Sequence, residues 1–260
     1  MEEATLIARV ARGESLGAED ELPAGYRGEL MRLMVVFVDS ELAGAAGFAD
    51  HINRAPGLAE RCAAARIVSE KFQHAEMVLT LLARFGVNPR LYVRSHPWSA
   101  RLDRALDLGN RRVGGDKRLN VFHYPLEGWV DAVAMNMLMG TASAIQLEEL
   151  CHCSYAPFAA AMSRIVPREA EHAARGEIGL AQAIARDGAL AAAQAAVPYW
   201  YPRVAATFGR LDSARFELYR RYGLRKSSNA ELLARWESEI GTRLERLGLK
   251  APAQARAPAD

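Results

Sequence analysis

The sequence predicts an all-α bundle with its chemistry in the core, and three helical rows predict it. The apolar row Phe158, Met162 and Ile165 runs at helical spacing into Glu169, His172 and Gly176, so a carboxylate and an imidazole share one inward face. A second row, Met34, Phe37, Glu41 and Ala45, carries one acid on an otherwise apolar face. A third, Ile67, His74, Val78, Leu81 and Phe85, carries one histidine, with Glu70 and Lys71 just before it. Buried charge needs a partner, and a metal ion or a hydrogen-bonded network is what makes an interior carboxylate tolerable. An inward carboxylate, an inward histidine and a Glu-x-x-His helix are most of the ligand set of a ferritin-like di-iron carboxylate bundle. Any one pair alone is explained as well by a surface Glu and His sharing a face by chance. Three such rows in one chain argue against that.

The elements follow from local signals. Residues 1–25 hold a short helix and then Gly17, Pro23 and Gly25, which read as an N-terminal arm. A first long helix spans about residues 26–53 and is stopped by Asn53-Arg54-Ala55-Pro56, because the residue before a proline is pushed out of the helical region. A second spans about residues 58–85 and ends at Gly86-Val87-Asn88-Pro89, a capping glycine followed by a proline. The hairpin they make puts Glu41 and His74 near mid-height on facing helices. Between residues 90 and 125 the periodicity fades and positive charge gathers in Arg101, Arg104, Arg111, Arg112, Lys117 and Arg118. So long a connection is expected to be functional. It is expected to cover one end of the bundle, with Arg111 and Arg112 binding an anionic substrate group; the plainer reading is a solvated loop. A third helix, residues 128–151, is rich in Met and Ala, and a fourth, residues 155–186, carries the Glu169/His172 pair with Pro167 expected to kink it. Extra C-terminal helices follow. One ends at the aromatic cluster Val197-Pro198-Tyr199-Trp200-Tyr201-Pro202, one spans residues 213–222, and the last is N-capped by Ser228 and reaches Leu247. The bundle domain is therefore residues 26–249, and the Ala/Pro-rich residues 250–260 read as a disordered tail.

Composition narrows the class. A chain of 260 residues, half of them hydrophobic, has enough material for one helical domain. A formal net charge of +2 gives no reason to expect a nucleic-acid partner. Three cysteines are too few for a disulfide framework, which suits a reducing compartment, and Cys151-His152-Cys153 reads as small packing residues beside a solvent-facing His. Met1-Glu2-Glu3-Ala4 lacks the basic and apolar regions of a signal peptide. The apolar stretch 132–147 is interrupted by Asn136, Gly140, Thr141 and Ser143 and is too short to span a bilayer. A cytoplasmic protein without a membrane segment is expected.

Several stretches in one order resemble a known family. Tyr26-Arg27, Asp39-Ser40-Glu41-Leu42, Asn53-Arg54-Ala55-Pro56, Phe122-His123-Tyr124-Pro125, Trp129-Val130-Asp131, Cys151-His152-Cys153-Ser154-Tyr155-Ala156-Pro157-Phe158, Glu169-Ala170-Glu171-His172 and Leu247-Gly248-Leu249 resemble the phenylacetic acid catabolic protein family. The resemblance covers about residues 26–252. It implies a multi-subunit oxygenase with a reductase partner, an oligomer whose di-iron site activates dioxygen to epoxidise an aromatic CoA thioester.

The resemblance also implies six ligands, of which Glu41, His74, Glu169 and His172 match. The bridging Glu expected three residues before the first His is Lys71, and the third-helix carboxylate is Gly140. Lys71 is the residue on which the chemistry is expected to turn, since its ammonium can pair with Glu41 or Glu169 in a metal's place. Glu70 is expected to reach the site through a local π-bulge. Asn136 is a weak substitute ligand, and Gly140 is expected to leave a position open to water or substrate. Three functions follow. The first is an oxygenase with a modified site holding iron (one or two ions) or manganese and acting on an aromatic or CoA-linked small molecule. The second is a metal-free structural or docking subunit in which Lys71 replaces the metal. The third is a small-molecule binding bundle.

Overall fold

The computed structural model describes residues 1–109, Arg111 and residues 113–252, and within them every regular element is helical. In chain order the α-helices are α1 (Glu3–Ala11), α2 (Ala24–Ala49), α3 (Leu58–Ala83), α4 (Pro89–Arg94), α5 (Gly128–Leu150), α6 (Ala156–Asp187), α7 (Leu190–Ala205), α8 (Ala214–Arg221) and α9 (Asn229–Arg246). The long ones pair as two hairpins, α2 with α3 and α5 with α6, and α3 also packs on α6. Two hairpins joined by one long connection make the ferritin-like bundle that the inward rows predict. α7 and α9 pack on α5, and α8 meets α1.

The ends have local causes. α2 gives way to a 3-10 turn at Ile52–Arg54 ahead of Pro56, short of the expected residue 53. Gly86 follows α3 at φ +87°, a left-handed conformation that glycine adopts without strain. α9 opens on a reciprocal cap, in which the Ser228 hydroxyl accepts from the Glu231 N–H and the Glu231 carboxylate accepts from the Ser228 N–H. α7 does not stop at the aromatic cluster, as expected, but runs through Pro198 and Pro202. Each internal proline removes a helical hydrogen bond, yet Trp200 and Val204 are fully buried and the Trp200 Nε1–H donates to Asp131 at 2.7 Å. That packing outweighs the loss. α6 likewise continues through Pro167.

Residues 1–25 pack against the bundle, with Leu6 and Leu16 fully buried and a backbone bridge from Leu16 to Tyr155. The connection between α3 and α5 is partly regular. It holds α4 and a 3-10 turn at Asn120–His123, and it is tied to α2 by hydrogen bonds. Buried Asp39 accepts from the Tyr92 hydroxyl and the Lys117 N–H, the Ser40 hydroxyl accepts from the Leu119 N–H, and Arg101 donates to the Ala43 carbonyl. The basic residues here mostly serve the fold. Arg118 is buried against Asp116 at 2.7 Å and donates to the carbonyls of Pro97, Trp98 and Ala100. Arg104 grips Asp131 with two hydrogen bonds and stacks 3.7 Å over the Tyr199 ring. Asp39→Ala should therefore cost roughly 1–3 kcal/mol and speed proteolytic cutting between residues 95 and 120. Cutting at the native rate would show that Asp39 does not hold the connection.

Candidate functional site

The three rows bring Glu41 from α2, Lys71 and His74 from α3, and Glu169 and His172 from α6 to one buried place, none of them more than 9% exposed. Lys71 Nζ donates to Glu41 Oε1 at 3.1 Å and to the two oxygens of Glu169 at 2.9 and 3.1 Å. His74 Nδ1 lies 3.3 Å from Glu41 Oε2 and 3.1 Å from Glu169 Oε1. The rings of His74 and His172 stack with centroids 5.9 Å apart. His172 Nε2 bonds Glu70 Oε2 at 2.6 Å. Its Nδ1 is 3.3 Å from Glu169 Oε1 but in no hydrogen-bonding geometry, so this buried atom has no partner. Glu70 thus reaches the cluster from an unbroken α-helix; the expected π-bulge is absent, and its contact is with the outer nitrogen of His172.

The electrostatics close on themselves. Burial pulls the Lys71 pKa down, but the charges of Glu169 and Glu41 outweigh it and hold the ammonium above its ordinary value. Burial also works against the His74 imidazolium, while hydrogen bonds to Glu169 and Glu41 raise it to about 9. For Glu169 burial pushes upward, and Lys71 first, then His172 and His74, hold it well below the carboxylate range. At neutral pH two cations, Lys71 and His74, therefore face two carboxylates, Glu41 and Glu169. This balance has a pH signature. From the ordinary histidine value of 6.5 up to about 9 the folded chain keeps the His74 proton and the unfolded chain has lost it. The stabilisation is complete below that window and is lost as pH rises through it, a fall of about 2–3 kcal/mol. Urea unfolding at pH 6, 7.5 and 9 should show the fall, and His74→Gln should flatten it; identical slopes for the two proteins would rule the assignment out.

A family model described as Phenylacetic acid catabolic protein matches residues 13–260. The chain belongs to that family. One of the subunits of the 1,2-phenylacetyl-CoA epoxidase of Escherichia coli (strain K12) is 26% identical over 251 residues, which are 94% of this chain and 75% of the relative. The di-iron pair that the family resemblance implies does not fit the residues found in this family member. Lys71 donates to Glu41 Oε1 and to both oxygens of Glu169, so its ammonium stands between the carboxylates that would have to hold the ions. A Cβ on Gly140 would stand 3.0 Å from the Ala173 backbone, so a carboxylate side chain at this third-helix position would press on α6. Asn136 is held beside the cluster by its amide, which donates to the His172 carbonyl at 2.8 Å.

A cavity of about 250 Å³ reaches this cluster from the α2–α5 side, with Glu41, Phe37, Phe122 and Met139 among its walls. Phe122, Met139 and Ser143 also line a chamber of about 40 Å³ that touches Lys71 and the backbone of Gly140. Arg32, Arg215 and Arg225 line the larger cavity. Arg225 donates to Asn229 Oδ1 and the Ser227 carbonyl rather than to a carboxylate, and burial lowers its pKa. These three arginines come from separate segments, and no sequence pattern links them. Arg111, expected to bind substrate, is exposed, donates to the Asp107 carbonyl and lines neither cavity, while Arg112 lies outside the described residues.

Proposed function

We propose that this chain is a metal-free subunit of a multicomponent oxygenase, in which Lys71 occupies the centre of the bundle and the fold serves as structure and docking surface for a catalytic partner. The observation that carries this reading is the Lys71 ammonium, 2.9–3.1 Å from both Glu41 and Glu169. With His74 it neutralises both carboxylates, so an added dication would bring uncompensated positive charge into the core. Support for the assembly comes from the relative, which is by name one subunit of an epoxidase. The cavity beside Glu41 has room for the acyl part of a CoA thioester but not for the whole molecule, Arg225 is the cation on its wall without a carboxylate partner, and a reductase completes the proposed cytoplasmic system.

A second reading, an oxygenase holding one iron or manganese ion, is favoured by the unpartnered Nδ1 of His172 and by Glu41, His74 and Glu169, whose donor atoms lie within 4.8 Å of one another. It requires His74 to give up its proton and Lys71 to turn away. Anaerobic titration with Fe(II) and Mn(II), followed by desalting and elemental analysis, separates the two. The native chain should retain far less than one ion, and Lys71→Glu should retain clearly more. Stoichiometric retention by the native chain would favour the oxygenase.

A further inference from the structure

The outer face of α3 and the short α4 enclose a groove of about 670 Å³, remote in character from the buried cluster because its walls are exposed. Leu42 and Leu79 form its apolar floor, and Phe72 and Val93, 44% and 40% exposed, line its walls. Arg90 and Arg94 stand on successive turns of α4 and also line it, and among the described residues neither enters an ion pair. Like charges four residues apart on a helix repel one another. An apolar trough with two unpaired arginines along one side is therefore incomplete in both its chemistries: the floor lacks apolar cover, and the cations lack counter-charge.

We infer that this groove docks an amphipathic helix of a partner protein whose flank, on the α4 side, is acidic. The dimensions agree with a helix: the wall from Ser69 to Thr80 on α3 is about 16 Å long at the helical rise, or three turns of an occupant. Such an occupant would set apolar residues at i, i+3 or i+4 and i+7 on Leu42, Phe72 and Leu79, and carboxylates against Arg90 and Arg94. Glu76 lines the α3 side and repels acid there, which fixes which flank faces which wall. The groove's chemistry does not depend on what the buried cluster holds.

The test selects binders to the intact chain from a displayed library of randomised 18-residue helical peptides. Enriched sequences should carry Asp or Glu along one flank. The leading peptide should bind Phe72→Asp and the double variant Arg90→Glu, Arg94→Glu at least tenfold more weakly than the native chain in fluorescence anisotropy. All three positions are exposed, so each variant should keep the native circular dichroism spectrum and melting temperature. Binders without acidic bias, or with affinity unchanged by these substitutions, would overturn the inference. So would a dimer in sedimentation analysis that Phe72→Asp dissolves, since that would give the groove to a second copy of the chain.

Discussion

Lys71→Ala is expected to lower the stability of the fold by roughly 3–5 kcal/mol, because removing one partner of a buried ion pair leaves the other charge uncompensated. Here two carboxylates are stranded. Glu169 is fully buried and Glu41 nearly so, and without the ammonium only the imidazoles of His74 and, beside Glu169, His172 remain to face them. For a chain of 260 residues this corresponds to a melting temperature about 10 °C lower. Chemical unfolding of the two proteins side by side measures it. A loss under about 1 kcal/mol, the value of an exposed pair, would mean that the ammonium does not hold the core together.

Gly140→Asp should be at least as damaging, for a steric reason. α5 and α6 approach so closely at Gly140 and Gly176 that a Cβ at either position would meet backbone of the other helix, at 3.0 Å from Ala173 and 2.6 Å from Met137. Overpacking of this kind costs about 1–3 kcal/mol, and a buried, unpaired carboxylate adds several more. The variant is expected to fold poorly, and adding Lys71→Glu should not rebuild a pair of metal ions. From the sequence alone Gly140→Asp would be expected to raise metal uptake. Soluble, native-like Gly140→Asp with increased metal content would show that α6 yields and that the position is open after all.

The difference between those two expectations shows what a sequence carries. Row periodicity places Glu41, His74, Glu169 and His172 on inward faces, since burial on a helix repeats every three or four residues and needs no knowledge of the neighbour, whereas Lys71 is legible only through the family resemblance. The ferritin-like bundle followed from the same rows. Gly140 could not be read that way. Whether a glycine marks an absent ligand or a close helix contact depends on what stands opposite, which here is Ala173. The arginines of residues 101–118 show the same limit: clustered in sequence, they suggested an anion site, yet Arg104 and Arg118 are engaged by Asp131 and Asp116. Arg32, Arg215 and Arg225, scattered in sequence, line the cavity instead. In α7, burial of Trp200 overrode two prolines that locally signal a stop.

Elemental analysis of the native protein, with anomalous diffraction from the same crystals at the iron and manganese edges, decides whether Lys71 or a metal ion occupies the centre of the bundle. The expected result is no occupied metal position within the bundle and density for Lys71 Nζ between the carboxylates of Glu41 and Glu169. Two fully occupied ions, with Lys71 turned away and Glu70 bound to one of them, would contradict it and return this chain to metal-dependent oxygen chemistry.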